Sequence, residues 1–179
     1  MSENRLTELR IENQKLKKQV QELESKVLSL VGMMNLVSSG GSNKKYRLND
    51  ELIEFINSTG TQLNIVSPKV DMFYATELKR LAKRGVPVLI ITNDRGGIPK
   101  GYQEIYDALK QTEGINIINN PNVRYLLLFN SEKAIYSGGS LDKDELEKSI
   151  LIVTIIKETT KLRSIAQIFS MMLPTFMRN

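Results

Sequence analysis

The first 37 residues carry a pattern that few folds can satisfy. Leu6, Leu9, Asn13, Leu16, Val20, Leu23, Val27, Leu30, Met34 and Val37 follow one another at alternating steps of three and four. Steps averaging about 3.5 residues keep one seam of a helix facing a partner, whereas the stripe of a lone surface helix follows about 3.6. With Leu6 at a, the a positions are Leu6, Asn13, Val20, Val27 and Met34; the d positions are Leu9, Leu16, Leu23, Leu30 and Val37. Valine at a with leucine at d favours a parallel two-stranded coil. Asn13 sharpens this. A lone Asn at a pairs with its symmetry mate in a parallel dimer but would be left in hydrocarbon in a slipped or antiparallel one. Glu12 at g reaches Lys17 at the partner's following e, while Arg5 and Arg10 stand as like charges in the same relation. Such pairs contribute only about 0.2–1 kcal/mol each, so the a/d seam decides association. The alternative is an amphipathic helix lying on its own body. Only Arg5 is basic ahead of the first leucine, so the seam argues for a homodimer and not for a helix that reads a DNA groove.

Ser38-Ser39-Gly40-Gly41-Ser42-Asn43 is expected to end the helix and open a flexible linker over residues 38–45. Lys44, Lys45 and Arg47 form a small basic cluster there, a candidate contact for nucleic acid or simply a solvated face. Residues 46–179 then read as one domain. Asn49 or Asp50 is expected to cap a helix running to about Asn57. Gln62–Ser67 reads as a strand, Met72–Arg84 as a helix closed by Gly85, and Val86–Thr92 as a near-continuous apolar strand of the kind buried on both faces. Asp94-Arg95-Gly96-Gly97 reads as a loop, Tyr102–Gln111 as a helix, Ile115–Ile118 and Val123–Phe129 as strands, and Lys133–Ser137 as a strand after a tight reversal. Ser137-Gly138-Gly139-Ser140 is a glycine turn, Lys143–Lys148 a short helix, Ser149–Ile156 a strand and Thr159–Met171 a final helix. Strands alternating with helices predict an α/β domain with a sheet flanked by helices.

The chain has no His, Cys or Trp. That excludes the Ser-His-Asp and Cys-His nucleophile systems, zinc fingers and redox cysteines. No cofactor is expected. Lys plus Arg is 25 against 20 for Asp plus Glu, a net charge of +5, which suits nucleic acid or a merely soluble surface equally. No apolar run approaches the ~20 residues that span a bilayer, and the N-terminus has no apolar signal region, so a cytoplasmic chain is expected.

Two stretches resemble a phospholipase-D-like domain. The first is Asn64–Thr92: a strand ending in Ser67-Pro68, a helix, and Lys83-Arg84-Gly85-Val86-Pro87-Val88 leading into the next strand. The second is Val123–Leu141 (VRYLLLFNSEKAIYSGGSL), which is similar to that family's signature hairpin. The resemblance covers roughly Gln62 to Met172 in one copy. It implies a single phospholipase-D-like mixed sheet flanked by helices. Similar domains, often without catalytic groups, occur in archaeal TrmB-type sugar-responsive transcriptional regulators. In active members a His attacks phosphorus, a Lys two residues on holds the phosphate and an Asp follows. On this chain those places fall at Arg124, Leu126 and Ser131 or Asn130. A guanidinium offers no lone pair for attack, so the resemblance implies a domain that is not an enzyme.

In open α/β sheets, ligands bind at the carboxyl ends of the strands. The residues expected there are Ser67, Asn93, Asp94, Arg95, Asn119, Asn120, Arg124, Ser137 and Ser140, with Arg124, Ser137, Ser140, Asn120, Asp94 and Arg95 as the candidate ligand set. Arg124 is read either as a partner for an anion or as one half of an ordinary ion pair. Gly138 and Gly139 are read either as exposing backbone N–H groups or as a plain reversal. The leading functional expectation is a homodimeric regulatory or DNA-associated protein, acting on DNA directly or beside a DNA-binding partner. The alternatives are a scaffolding module and, less favoured, a phosphodiesterase or nuclease.

Overall fold

The computed structural model describes residues 12–23, 34–39 and 47–177. The chain divides into two compact units, residues 1–34 and 35–179. In the first, residues 12–23 form helix α1, and every one of them is exposed. Leu16, Val20 and Leu23 are 56, 52 and 60 % exposed. Leu6, Leu9, Val27 and Leu30 of the expected seam lie outside the described residues.

The second unit is built on one seven-stranded sheet. Its elements are β1 (Met34–Ser39), α2 (Leu48–Ser58), β2 (Leu63–Val66), α3 (Met72–Lys83), β3 (Val88–Thr92), α4 (Lys100–Lys110) and β4 (Ile115–Asn119). They continue with β5 (Leu126–Phe129), β6 (Ala134–Ser137), α5 (Lys143–Lys148), β7 (Leu151–Ile156) and α6 (Thr159–Met171). The strand order is β1-β7-β6-β5-β2-β3-β4. β2, β3 and β4 run parallel, while β2–β5, β5–β6 and β6–β7 pair antiparallel. The sheet is therefore mixed, and β2 is the strand on which it changes sense.

Side chains alternate across the pleat and sort into two cores. Leu63, Ile65, Val88, Ile90, Leu126, Leu128 and Ile135 face one way, against α2, α3, α4 and α5. Val66, Leu89, Ile91, Leu127 and Phe129 face the other way, where α6 supplies Leu162 and Phe169 and the chain after it Leu173. All five residues of β3 are buried, as its continuous apolar run implies. Gly114, at φ +83°, turns the chain out of α4 into β4.

The structure departs from the sequence reading at the N-terminal side. Met34–Ser39 is a strand, not the end of the zipper helix, so Met34 and Val37 do not continue the heptad and Ser38 and Ser39 are not linker. Val37 packs against the larger core, and β1 lies beside β7. A β-branched residue next to an available strand edge is better served by sheet pairing than by the last turn of a coil. The cap of α2 also differs. Arg47 takes that position without a side-chain bond, and Asn49 instead accepts from the Tyr74 hydroxyl at 2.6 Å and donates to the Lys143 carbonyl at 3.0 Å. Asn49 thus ties α2 to α3 and α5. Among the described residues no helix is long and apolar enough to cross a membrane.

Candidate functional site

The carboxyl ends of β2, β3 and β4 share one edge of the sheet. Antiparallel pairing brings the start of β5 and the end of β6 to the same edge. The register places Val66 beside Leu127 and Leu126 beside Ser137. One residue on, Ser67, Leu126 and Ser137 stand in a row on the face of the larger core, each 0 % exposed. The polar groups of this edge are mostly fastened. The Ser67 hydroxyl donates to the Lys69 carbonyl at 2.6 Å and accepts from the Leu141 N–H at 2.8 Å. Thr92 donates to the Pro68 carbonyl at 3.1 Å, and the Tyr106 hydroxyl to Asn119 at 2.7 Å. The Ser137 hydroxyl is buried and has no partner among the described residues.

The loop after β2 meets the loop after β6. Val70 and Leu141 form a parallel bridge, and the Asp71 N–H donates to the Leu141 carbonyl at 2.8 Å. Where the loops meet, Lys69 Nζ lies 2.8 Å from Asp142 Oδ2, 3.1 Å from Glu145 Oε2 and 3.2 Å from the Tyr102 hydroxyl. It also sits 4.4 Å from the centre of the Tyr102 ring. The Tyr102 hydroxyl donates to Asp142, and Ser140 donates to Glu145 at 2.6 Å. Asp142 Oδ1 caps α5 by accepting from the Glu145 N–H at 3.1 Å.

The electrostatics follow from this packing. Burial pushes the Asp142 carboxyl up, but hydrogen bonds from Lys69, Tyr102 and the Glu145 N–H outweigh it and hold the pKa at about 2. Burial pulls Lys69 down, yet its bonds to Asp142, Tyr102 and Glu145 raise it above the ordinary lysine value. Asp142 is thus a fixed carboxylate and Lys69 a fixed ammonium at neutral pH. Neither is poised for proton transfer, which works best near the operating pH. The Lys69 charge is already matched by two carboxylates.

The residues expected from sequence fall into three groups. Ser137 and Ser140 lie in or beside the row, the second bonded to Glu145. Arg124 is exposed at the approach to β5, and its guanidinium folds back onto the carbonyls of Pro121 and Val123, each at 2.8 Å. Asn120 stiffens its own turn by accepting from the Asn122 N–H at 3.0 Å. Arg95 is turned onto α4, 2.9 Å from both Asp107 oxygens and 3.3 Å from Gln103; Asp94 is exposed. Arg47 is exposed, while Lys44 and Lys45 lie outside the described residues. Leu126, at the place of the family's lysine, is fully buried. Sequence reasoning missed Lys69, Tyr102, Asp142 and Glu145. The local signal for two of them was present: Asp142 with Glu145 three residues on is a helix-start pattern.

The fold is that of the phospholipase-D-like domains. No sequence-family profile and no curated protein matches the chain. Solved structures do. NucT from Helicobacter pylori superposes with a TM-score of 0.63 at 15 % identity, over 78 % of this chain and 94 % of that one. Nuc from Salmonella typhimurium, a phospholipase D family member, gives 0.61 at 16 %, over 75 and 90 %. TrmBL2, an archaeal chromatin protein with a novel mode of DNA binding, gives 0.56 at 12 %, over 93 % of this chain and 62 % of that one.

Proposed function

We propose that this chain is a non-enzymatic, DNA-associated regulatory protein of the cytoplasm, paired into a homodimer through its N-terminal seam. The observation that carries the reading is the breadth of the likeness to TrmBL2, which takes in 93 % of this chain. The site favours a domain without catalysis. The nucleophile's place holds Arg124, bonded to two backbone carbonyls, and the phosphate-holding lysine's place holds the buried Leu126. Lys69, already paired with Asp142 and Glu145, has no spare charge for a strong anion at that edge. A scaffolding role is the second reading. It is favoured by Tyr136, Ile150 and Ile152, exposed by 45, 78 and 73 % on β6, at the entrance to β7 and on β7.

The test is a mobility-shift titration of the full chain on duplex DNA at two salt concentrations. DNA association gives a shift at low salt whose affinity falls steeply as salt rises, because phosphate contacts release counterions. No shift at low salt removes the DNA-binding reading and leaves scaffolding. Hydrolysis of bis(4-nitrophenyl) phosphate above the buffer rate would overturn the non-enzymatic assignment.

A further inference from the structure

Among the described residues the second face of the sheet is covered by α6 and the short segment after it, and the cover is incomplete at the edge opposite the degenerate site. Between the first turns of α6, the entry to β2 and the β5–β6 reversal lies a cleft of about 600 Å³. That is within the range of ordinary small-molecule pockets. Phe129, Leu162 and Ala166 give it apolar walls. Phe129 is fixed edge-on against Phe169, ring centres 5.0 Å apart, so this wall is rigid.

Three of the side chains lining the cleft carry donors with no acceptor among the described residues. Arg163 lines it and makes no hydrogen bond or ion pair among the described residues, whereas Arg80, Arg84, Arg95 and Arg124 are all engaged. Asn130 is only 7 % exposed. Its Oδ1 is held by the Glu132 and Lys133 N–H groups, both at 2.9 Å, which leaves Nδ2 with no acceptor. Asn64 Oδ1 accepts from Gln62 at 2.7 Å, so its Nδ2 is spare as well. Both amide N–H groups are therefore open to an acceptor in the cleft.

We infer that this cleft binds a small organic carboxylate with an apolar body. Arg163 pairs with the carboxylate in the two-pronged geometry that suits a guanidinium. Asn64 and Asn130 donate to its oxygens, and the hydrocarbon or aromatic part lies on Phe129, Leu162 and Ala166. A single cation among the lining residues matches one negative charge, which favours a carboxylate over a phosphate monoester carrying nearly two. The inference stands apart from the DNA-associated reading, since the cleft lies at the opposite edge from Arg124 and Leu126 and, of the family's expected places, takes in only Asn130 and Ser131.

The experiment is thermal shift and calorimetry on the full chain with hexanoate and benzoate, set against hexanol, hexylamine and inorganic phosphate. The two carboxylates are expected to raise the midpoint in proportion to the logarithm of their concentration, and the other three are not. Arg163→Gln should weaken carboxylate binding at least tenfold. Ala166→Leu should block it by filling the wall, while Lys161→Gln, whose ammonium pairs with Glu158, should leave it unchanged. Arg163 is exposed, so its variant tests binding without threatening the fold. Equal stabilisation by hexanol or hexylamine, no response to either carboxylate at millimolar concentration, or undiminished binding by Arg163→Gln overturns the inference.

Discussion

The Ser67 hydroxyl accepts a hydrogen bond from the Leu141 N–H at 2.8 Å and so fastens the end of β2 to the loop after β6. Ser137, in the same row of the sheet and equally buried, fastens nothing among the described residues. The pair makes an internal control. Ser67→Ala strands a buried N–H and should cost about 1–3 kcal/mol. Ser137→Ala removes an unbonded hydroxyl and should be neutral or slightly stabilising. Urea midpoints of the two variants decide the matter, and equal losses would show that both hydroxyls act alike.

The Lys69–Asp142 pair predicts a defined acid sensitivity. The Asp142 carboxyl lies below its ordinary value in the folded protein, at about 2. Its contribution is therefore complete above about pH 4 and is lost as pH falls through that window toward 2. Asp142→Asn should flatten this part of the stability profile relative to the wild-type chain. At pH 7 the same variant should be less stable by about 2–3 kcal/mol. That is somewhat below the cost of breaking a fully buried pair, because Lys69 is 21 % exposed. Denaturant titrations from pH 2 to 7 read both effects; parallel curves would refute the linkage.

A lysine at position 126 should not give this chain phosphodiesterase chemistry. Leu126 is fully buried between Ser67 and Ser137, and Leu126→Lys would place an ammonium there without a carboxylate beside it in the row. An unpaired buried charge is strongly destabilising. A loss above about 3 kcal/mol is expected, with no phosphodiesterase activity. A stable, active variant would mean that the edge is still competent.

The seam of α1 is tested by Leu16→Ala with Leu23→Ala. Both leucines are exposed in the single chain, by 56 and 60 %, so nothing within that chain loses packing when they are trimmed. Sedimentation should show a fall from dimer to monomer with an unchanged thermal midpoint for the body. A dimer that persists would place association elsewhere on the molecule.

Much of the body was legible because its signals are local. Four apolar residues in succession, Val88 to Ile91, announced β3, and the expected bounds of α5 and α6 agree with those found. Asp71, which caps α3 by accepting from the Tyr74 N–H at 2.8 Å, is likewise a local cause. What escaped depends on distance along the chain. Lys69 meets Asp142 across 73 residues, and nothing near either one names the other. β1 escaped for a different reason: Met34 and Val37 fit the heptad spacing, and only the position of β7 makes pairing the better choice. Arg124 was expected at the carboxyl edge of the sheet with its charge toward the cleft; it stands at the approach to β5, and its direction is set by the carbonyls of its own turn.

The change of sense at β2 has a kinetic consequence. β5 and β6 assemble by a short reversal and β7 joins them after α5, while β2, β3 and β4 assemble by single crossovers. The seam that joins these halves pairs Ile65 with Leu128, about sixty residues apart in sequence. Closing so long a loop brings no reward until both halves present an edge. The seam should therefore close last, after the transition state. Stopped-flow measurements on Ile65→Val should find its effect mainly in the unfolding rate, while the equally conservative Ile135→Val in the β5–β6 hairpin slows refolding.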